Sequence, residues 1–255
     1  MENEYRYQTL KEFLESPFGT GKNLERDVKY NLRYETFKSR QKIRIEGYTS
    51  VTDDYYIHLV VPSESDENRL YDVVIRFFSP IKSSLTSLSK YYIQFFSNSP
   101  GFMYQYAVLY RLNGFLIEDL YNKMDPDFIS KLPEKSNPNL KMSYDSTIYF
   151  ACRFLSENNF QYLSKFGILL QKKKTPEKFF KDITSFKDMK VKMDSEKKNK
   201  EEEKKHSRTS TRNVKIPSKS TSSGSQPKGI HITIKKTGRS HIVPKKKPGK
   251  STTHK

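Results

Sequence analysis

The chain of 255 residues carries 47 Lys and Arg against 29 Asp and Glu, a net charge of +18. Its one cysteine rules out an intramolecular disulfide framework and a cysteine-rich zinc site. No apolar run reaches the ~18–20 residues that span a bilayer, and the opening MENEYRYQTLKEF lacks an apolar core, so neither a membrane span nor a secretory signal is expected.

Thr9 and Glu12 stand at capping-box spacing ahead of Leu10, Phe13 and Leu14, which predicts a short helix stopped by Ser16-Pro17. The stretch from Ser16 to Asn23 superficially follows a phosphate-binding loop. Ser16 replaces its first glycine and Asn23 its magnesium-holding hydroxyl, so a glycine-rich surface loop is the better reading. Residues 24–40 place Leu24, Val28, Leu32 and Tyr34 or Glu35 near helical spacing, as a surface helix or an extended arm. Two strands follow, at 43–51 and 55–61, with Thr52, Asp53 and Asp54 as a hairpin turn.

The stretch from Leu70 to Gly114 is the most apolar and aromatic in the chain. Tyr71, Val73, Ile75 and Phe77 alternate with their neighbours, as do Tyr91, Ile93 and Phe95, so both runs read as strands. Ser79-Pro80 and Ser97–Gly101 end them. Phe102 to Leu112 fits both a strand alternation and a helical face; its bulky aromatics and the preceding Pro-Gly favour a strand. The expected sheet, antiparallel or mixed, therefore has about five strands.

Phe115 to Met124 reads as a helix ended before Pro126, and 125–144, with three prolines, as a long ordered loop. Asp145 is placed to cap a helix with Ile148, Ala151, Cys152 and Leu155 on one face. Cys152 is then a buried small side chain. A second helix is expected from Phe160 to Leu170, and a last amphipathic turn or two from Pro176 through Phe180, Ile183 and Phe186. Strands first and helices afterwards define an α+β chain.

From Lys190 onward 20 Lys and Arg face 5 Asp and Glu, a net of +15, which leaves +3 for residues 1–189. Every Tyr and Phe lies before Lys190. Such a segment cannot bury enough surface to offset an ordering entropy of about 1–2 kcal/mol per residue. The expected organisation is an N-terminal helix or arm at 1–19, an α+β domain at 20–188 and a disordered basic tail at 189–255. Within the tail, Gly229 to Ile234 alternates briefly and fits an edge strand on a partner.

Candidate chemistry is sparse. His58 is the only histidine before the tail, on the face opposite Ile57 and Leu59, where a solvated or hydrogen-bonded role is expected. His206, His231, His241 and His254 are too widely spaced for a metal site. Asp53, Asp54 and Asp72 invite comparison with a nuclease cluster, but the strand after Asp72 reads Val-Val-Ile-Arg, without the Glu-x-Lys pair such a cluster needs. Neither a nucleophile elbow nor a zinc-protease motif occurs. The chain is read as a non-enzyme with no catalytic residue, metal ligand or cofactor.

The tail carries the one functional signal. Arg208, Arg212, Lys215, Lys219, Lys228, Lys235, Lys236, Arg239, Lys245, Lys246, Lys247 and Lys250 are candidates for non-specific nucleic-acid contact, because cations without acidic partners neutralise phosphates and release counterions. An acidic protein surface is the other partner this charge suits, and a membrane surface fits less well. Tyr48, Tyr56, Tyr92 and Phe96 are candidates for stacking on bases or for burial against a second subunit.

The runs FFSNSPGFMYQYA (95–107) and SNPNLKMSYDSTIYFACRFL (136–155), with the Lys/Ser/Thr-rich C-terminus, resemble a group of proteins from phages of low-GC Gram-positive bacteria. The resemblance covers roughly 16–190 and transfers no functional residue. It implies a virion-associated structural or assembly protein, in the particle or the host cytoplasm, that self-associates or meets other virion proteins. A stand-alone nucleic-acid-binding regulator is the alternative.

Overall fold

The computed structural model describes residues 7–79, 88–158 and 172–210, and chain contacts divide the protein into two units, 1–207 and 208–255. The architecture is α+β. Four strands, β1 (Arg44–Val51), β2 (Asp54–Pro62), β3 (Leu70–Phe78) and β4 (Tyr92–Ser97), form an antiparallel meander in the order β1-β2-β3-β4. The sheet has four strands because Phe102 to Leu112 is helical: α3 spans Pro100–Gln105 and α4 Ala107–Leu112. Ser99 accepts the Phe102 N–H and Pro100 occupies the first helical position, an N-terminal signal that outweighs the β propensity of the aromatics.

The other helices are α1 (Leu10–Glu15), α2 (Leu24–Lys38), α5 (Pro126–Ser130), α6 (Ser146–Glu157), α7 (Pro176–Asp182) and α8 (Phe186–Ser210). The Thr9–Glu12 capping box forms, and Asn23 caps α2 through the Arg26 N–H at 2.9 Å, a structural use of the position a phosphate loop gives to a hydroxyl. The helix expected from Phe115 to Met124 forms as 3-10 turns over Glu118–Lys123, and α5 interrupts the expected loop at 125–144. The helix expected at 160–170 lies outside the described residues.

The segment read as a surface helix or an extended arm is the helix α2, which packs through its aromatic residues rather than through Leu24, Val28 and Leu32. Tyr34 and Phe37 are buried against Phe150 of α6, while Leu24 (80% exposed), Val28 (48%) and Leu32 (64%) face out. Aromatic rings bury more area per residue than the aliphatic stripe, so they set the helix rotation.

Helix α8 corrects the boundary of the expected tail, since 189–210 is helical. Ser185 and Asp188 cap its start by reciprocal hydrogen bonds at 2.6 and 3.1 Å. Phe186 and Met189 are buried, and Arg69 pairs with Glu196 at 3.8 Å. Beyond Met193 the helix lacks apolar support. Asp194/Lys198, Glu196/Lys200 and Glu201/Lys205 stand at i,i+4 with the acid first, the favourable order, and no Gly or Pro intervenes.

The sheet is covered on both faces. Ile57, Ile75 and Phe95 share one face, where Phe95 meets Phe13 of α1 and Tyr110 of α4, and Ser97 meets Thr147 of α6. Tyr56, His58, Asp72 and Val74 share the other, where Phe179 and Phe180 of α7 pack. Both outer edges are also occupied. Thr9 and Leu116 make single bridges to β4, while Lys173 bridges Tyr48 of β1, with the Lys174 N–H on the Tyr48 carbonyl at 2.9 Å. The approach is close at Gly47, where a Cβ would lie 2.8 Å from Lys174 Cε, the movable end of a flexible side chain, and 3.3 Å from the Lys172 carbonyl. A β-bulge at Glu46 shifts the register just before Gly47.

The β1–β2 turn holds Thr52 at φ +54°, a left-handed conformation that a β-branched residue adopts at a cost of about 1–2 kcal/mol. Thr52→Gly relieves the strain and adds unfolded-state entropy, for a net gain of roughly 0.5 kcal/mol. The expected result is a Tm higher by about 2 °C in differential scanning calorimetry; an unchanged or lower Tm would show the strain to be negligible.

Candidate functional site

Ser97, Asn98 and Ser99 leave the end of β4 with side chains alternating across the sheet, and all three are buried. On the α6 side, the Ser97 and Thr147 hydroxyls lie 3.2 Å apart, and the Ser99 N–H donates to Ser97 Oγ at 3.1 Å. Asp145 caps α6 by accepting the Thr147 and Ile148 N–H groups at 3.0 and 3.2 Å. Burial pushes the Asp145 carboxyl up, against the opposing hydrogen bonds from Thr147, Ile148 and Ser99.

On the α7 side, Asn98 Oδ1 accepts the Asp72 N–H at 2.8 Å, and Asn98 Nδ2 donates to Asp72 Oδ2 at 3.2 Å and to the Thr184 carbonyl at 3.1 Å. Asp72 Oδ2 also accepts the Thr184 N–H at 2.9 Å, and Asp72 Oδ1 lies 2.8 Å from His58 Nε2. Burial alone would push the Asp72 carboxyl up; His58 and Thr184 outweigh it and hold the group below its ordinary value. His58 is thus buried and hydrogen-bonded rather than solvated. Among the described residues its Nδ1 has no hydrogen-bond partner, and none of them offers a hydroxyl or thiol to continue a relay through the ring. The network ties the α7–α8 junction to the sheet; its geometry is that of a clamp.

The aspartates considered for metal chemistry are apart. Asp54 stands level with Phe78 and six residues along the sheet from Asp72, about 20 Å away. It is held by Arg76 through bonds of 3.0 and 2.6 Å. Among the described residues no group of three or more His, Cys, Asp or Glu is placed to hold a metal ion. Cys152 is buried in α6, and burial pushes its thiol up.

Of the basic candidates, Arg208 lies in the last turn of α8, and Arg212 through Lys250 lie outside the described residues. The Gly229–Ile234 stretch lies there too. Tyr48, Tyr56 and Phe96 are buried within the sheet and unavailable for stacking; Tyr92 is half-buried and stacks on Tyr7 at 5.4 Å.

A second basic feature escaped the sequence reading. From residue 40 to 46 the chain reads Arg-Gln-Lys-Ile-Arg-Ile-Glu. Ile43 and Ile45 point inward, and Gln41 Nε2 donates to the Ser63 carbonyl at 3.0 Å. Arg40, Lys42 and Arg44 are exposed, and among the described residues none of the three makes an ion pair. Exposed Lys172 and Lys173 lie further along β1, with Lys172 Nζ on the Ile45 carbonyl and Lys173 bridging Tyr48. Glu46 is the one carboxylate in this alternating run. The signal was in the sequence as a period-two alternation of cations.

The fold defines a class: an α+β unit built on a four-stranded antiparallel meander with helices on both faces. No protein-family model, curated protein or solved structure matches the chain. Among the described residues no helix is long and apolar enough to cross a membrane.

Proposed function

We propose that the chain is a non-enzymatic, nucleic-acid-binding structural or assembly protein of a phage. The observation that carries this reading is the segregation of charge. Residues 206–255 hold 13 Lys and Arg and no Asp or Glu, against a net of +3 for the first 189 residues. A cationic segment of this kind binds phosphates without reading sequence.

The phage assignment rests on the resemblance. Its two stretches meet in the fold: Ser97 and Ser99 contact Thr147, and Asn137 Nδ2 donates to the Gln105 carbonyl at 3.3 Å. They therefore describe one packed unit. The non-enzymatic assignment is supported by the engagement of Asp54 with Arg76 and of Asp72 with His58 and Thr184.

The test is a salt titration of DNA binding for the full chain and for a chain ending at Ser210, which lacks 12 of the 13 cations. With roughly five phosphate contacts at a slope near −0.9 each, raising salt from 50 to 200 mM costs the full chain several hundred-fold in affinity. Truncation is expected to remove most of that slope and leave the fold intact, since every buried aromatic precedes it. Equal affinities and slopes would overturn the reading. In size-exclusion chromatography with light scattering, a particle component forms rings or higher oligomers, and a regulator stays a monomer or dimer.

A further inference from the structure

We infer that the exposed face of α2 is a contact between two copies of this chain, packed antiparallel about a twofold axis at Val28. Leu24, Val28 and Leu32 stand at i, i+4 and i+8, so they form one stripe along about 12 Å of the helix, on the side away from Tyr34 and Phe37. All three are exposed, Leu24 and Leu32 over most of their surface. A single exposed apolar residue needs no explanation, whereas a row of three on one helix face marks a contact. The stripe belongs to the folded unit, so the inference stands apart from nucleic-acid binding by the tail.

The charges beside the stripe select the occupant. Glu25 and Lys29 stand on one flank, both exposed, and among the described residues neither makes an ion pair. A twofold axis at Val28 sets each residue n places before it level with the residue n places after it in the other copy, and keeps each flank against the same flank. Leu24 then meets Leu32 of the second copy, and Val28 meets Val28. Glu25 comes within about 3 Å, measured along the helix axis, of Lys29 of the second copy, and the symmetry makes this pair twice. Glu35, on the other flank, lies about 21 Å along the axis from Glu35 of the second copy, so these like charges do not meet. Antiparallel axes also place the N-terminus of one helix by the C-terminus of the other, which suits their dipoles. A parallel pair would set Glu25 against Asp27 and Asn31 instead, with both N-termini together. The face is therefore self-complementary in one direction only. A contact of this symmetry closes at two copies, so any ring or larger particle is built from dimers through other faces.

The experiment follows the mass of the full chain, freed of nucleic acid, by light scattering and sedimentation equilibrium from about 1 to 200 μM. The mass is expected to rise over this range toward twice 30.0 kDa. Val28→Glu places two carboxylates on the axis and is expected to raise the dissociation constant at least about 100-fold. Glu25→Lys and Lys29→Glu each bring like charges together at both pairs and are expected to weaken association about tenfold. An equimolar mixture of these two variants restores both pairs between chains, and its dissociation constant is expected to return to within about threefold of the parent's. A pair within one helix cannot be restored by mixing, so this readout isolates the contact between copies. A parent that stays monomeric throughout, association untouched by Val28→Glu, or a mixture no tighter than its components each overturn the inference. So does a lower urea midpoint for Val28→Glu than for the parent at about 1 μM, where the parent is monomeric, since the stripe would then be covered within its own chain. Glu25→Lys and Lys29→Glu change exposed residues only, so the mixing test holds even if Val28→Glu fails to fold.

Discussion

Phe13→Ala is expected to lower stability by about 3–5 kcal/mol, the range for removing a fully buried aromatic ring. Phe13 is 0% exposed, and its ring lies 4.6 Å from Phe95, 5.4 Å from both Phe18 and Tyr144, and 6.3 Å from Phe115. These partners come from β4, the turn after α1, the loop before α6 and the chain beside β4, so the ring fixes α1 to the sheet. The Tyr144 hydroxyl adds bonds to the Phe13 and Leu14 carbonyls at 3.0 and 2.8 Å. The short helix α1 cannot reseat itself to fill the void, because isolated helices of this length are unstable. Urea unfolding followed by circular dichroism measures the loss, and Phe13→Leu should recover more than half of it. If Phe13→Ala cost no more than truncation of half-buried Leu14, the ring would not be the anchor.

The parts legible in sequence are those with local causes. The alternation in β2 and β3, the Thr9–Glu12 capping box and the Asp145 N-cap depend on residues a few positions apart, and the structure has them all. Phe102 to Leu112 alternates as a strand does, but the Ser99-Pro100 start signal prevails and the segment is helical. The buried face of α2 is not legible locally, because Tyr30, Tyr34 and Phe37 compete with Leu24, Val28 and Leu32, and only the partner helix α6 decides between them. At 189–210 the absence of aromatics points to disorder, yet the segment is helical. The alternating acid and base pairs form a helix without a core. The clamp around Asp72 could not be read, since Asn98 and Thr184 lie 26 and 112 residues away in the chain.

That clamp gives the other large effect. Asp72→Ala is expected to cost about 3 kcal/mol, the scale of leaving several buried hydrogen-bonding groups without their partner. The alanine leaves His58 Nε2, the Thr184 N–H and Asn98 Nδ2 without their acceptor. Asp72→Asn should cost less, because an amide oxygen still accepts the Thr184 N–H, but it removes the charge. The pH dependence then separates a charge from a shape effect. The folded fold holds Asp72 below the ordinary aspartate value of 3.8, so its contribution is present above that value and is lost as pH falls through the folded-state value. Asp145, whose carboxyl is pushed up, works the other way: its contribution is present below the ordinary value and is lost as pH rises through the raised one. The stability gap between the parent and Asp72→Asn should therefore be widest above about pH 5 and close as pH drops below 3.8. Urea midpoints measured from pH 2.5 to 7 provide the comparison. A gap independent of pH would mean that the ionised carboxylate adds nothing beyond the shape of its hydrogen bonds.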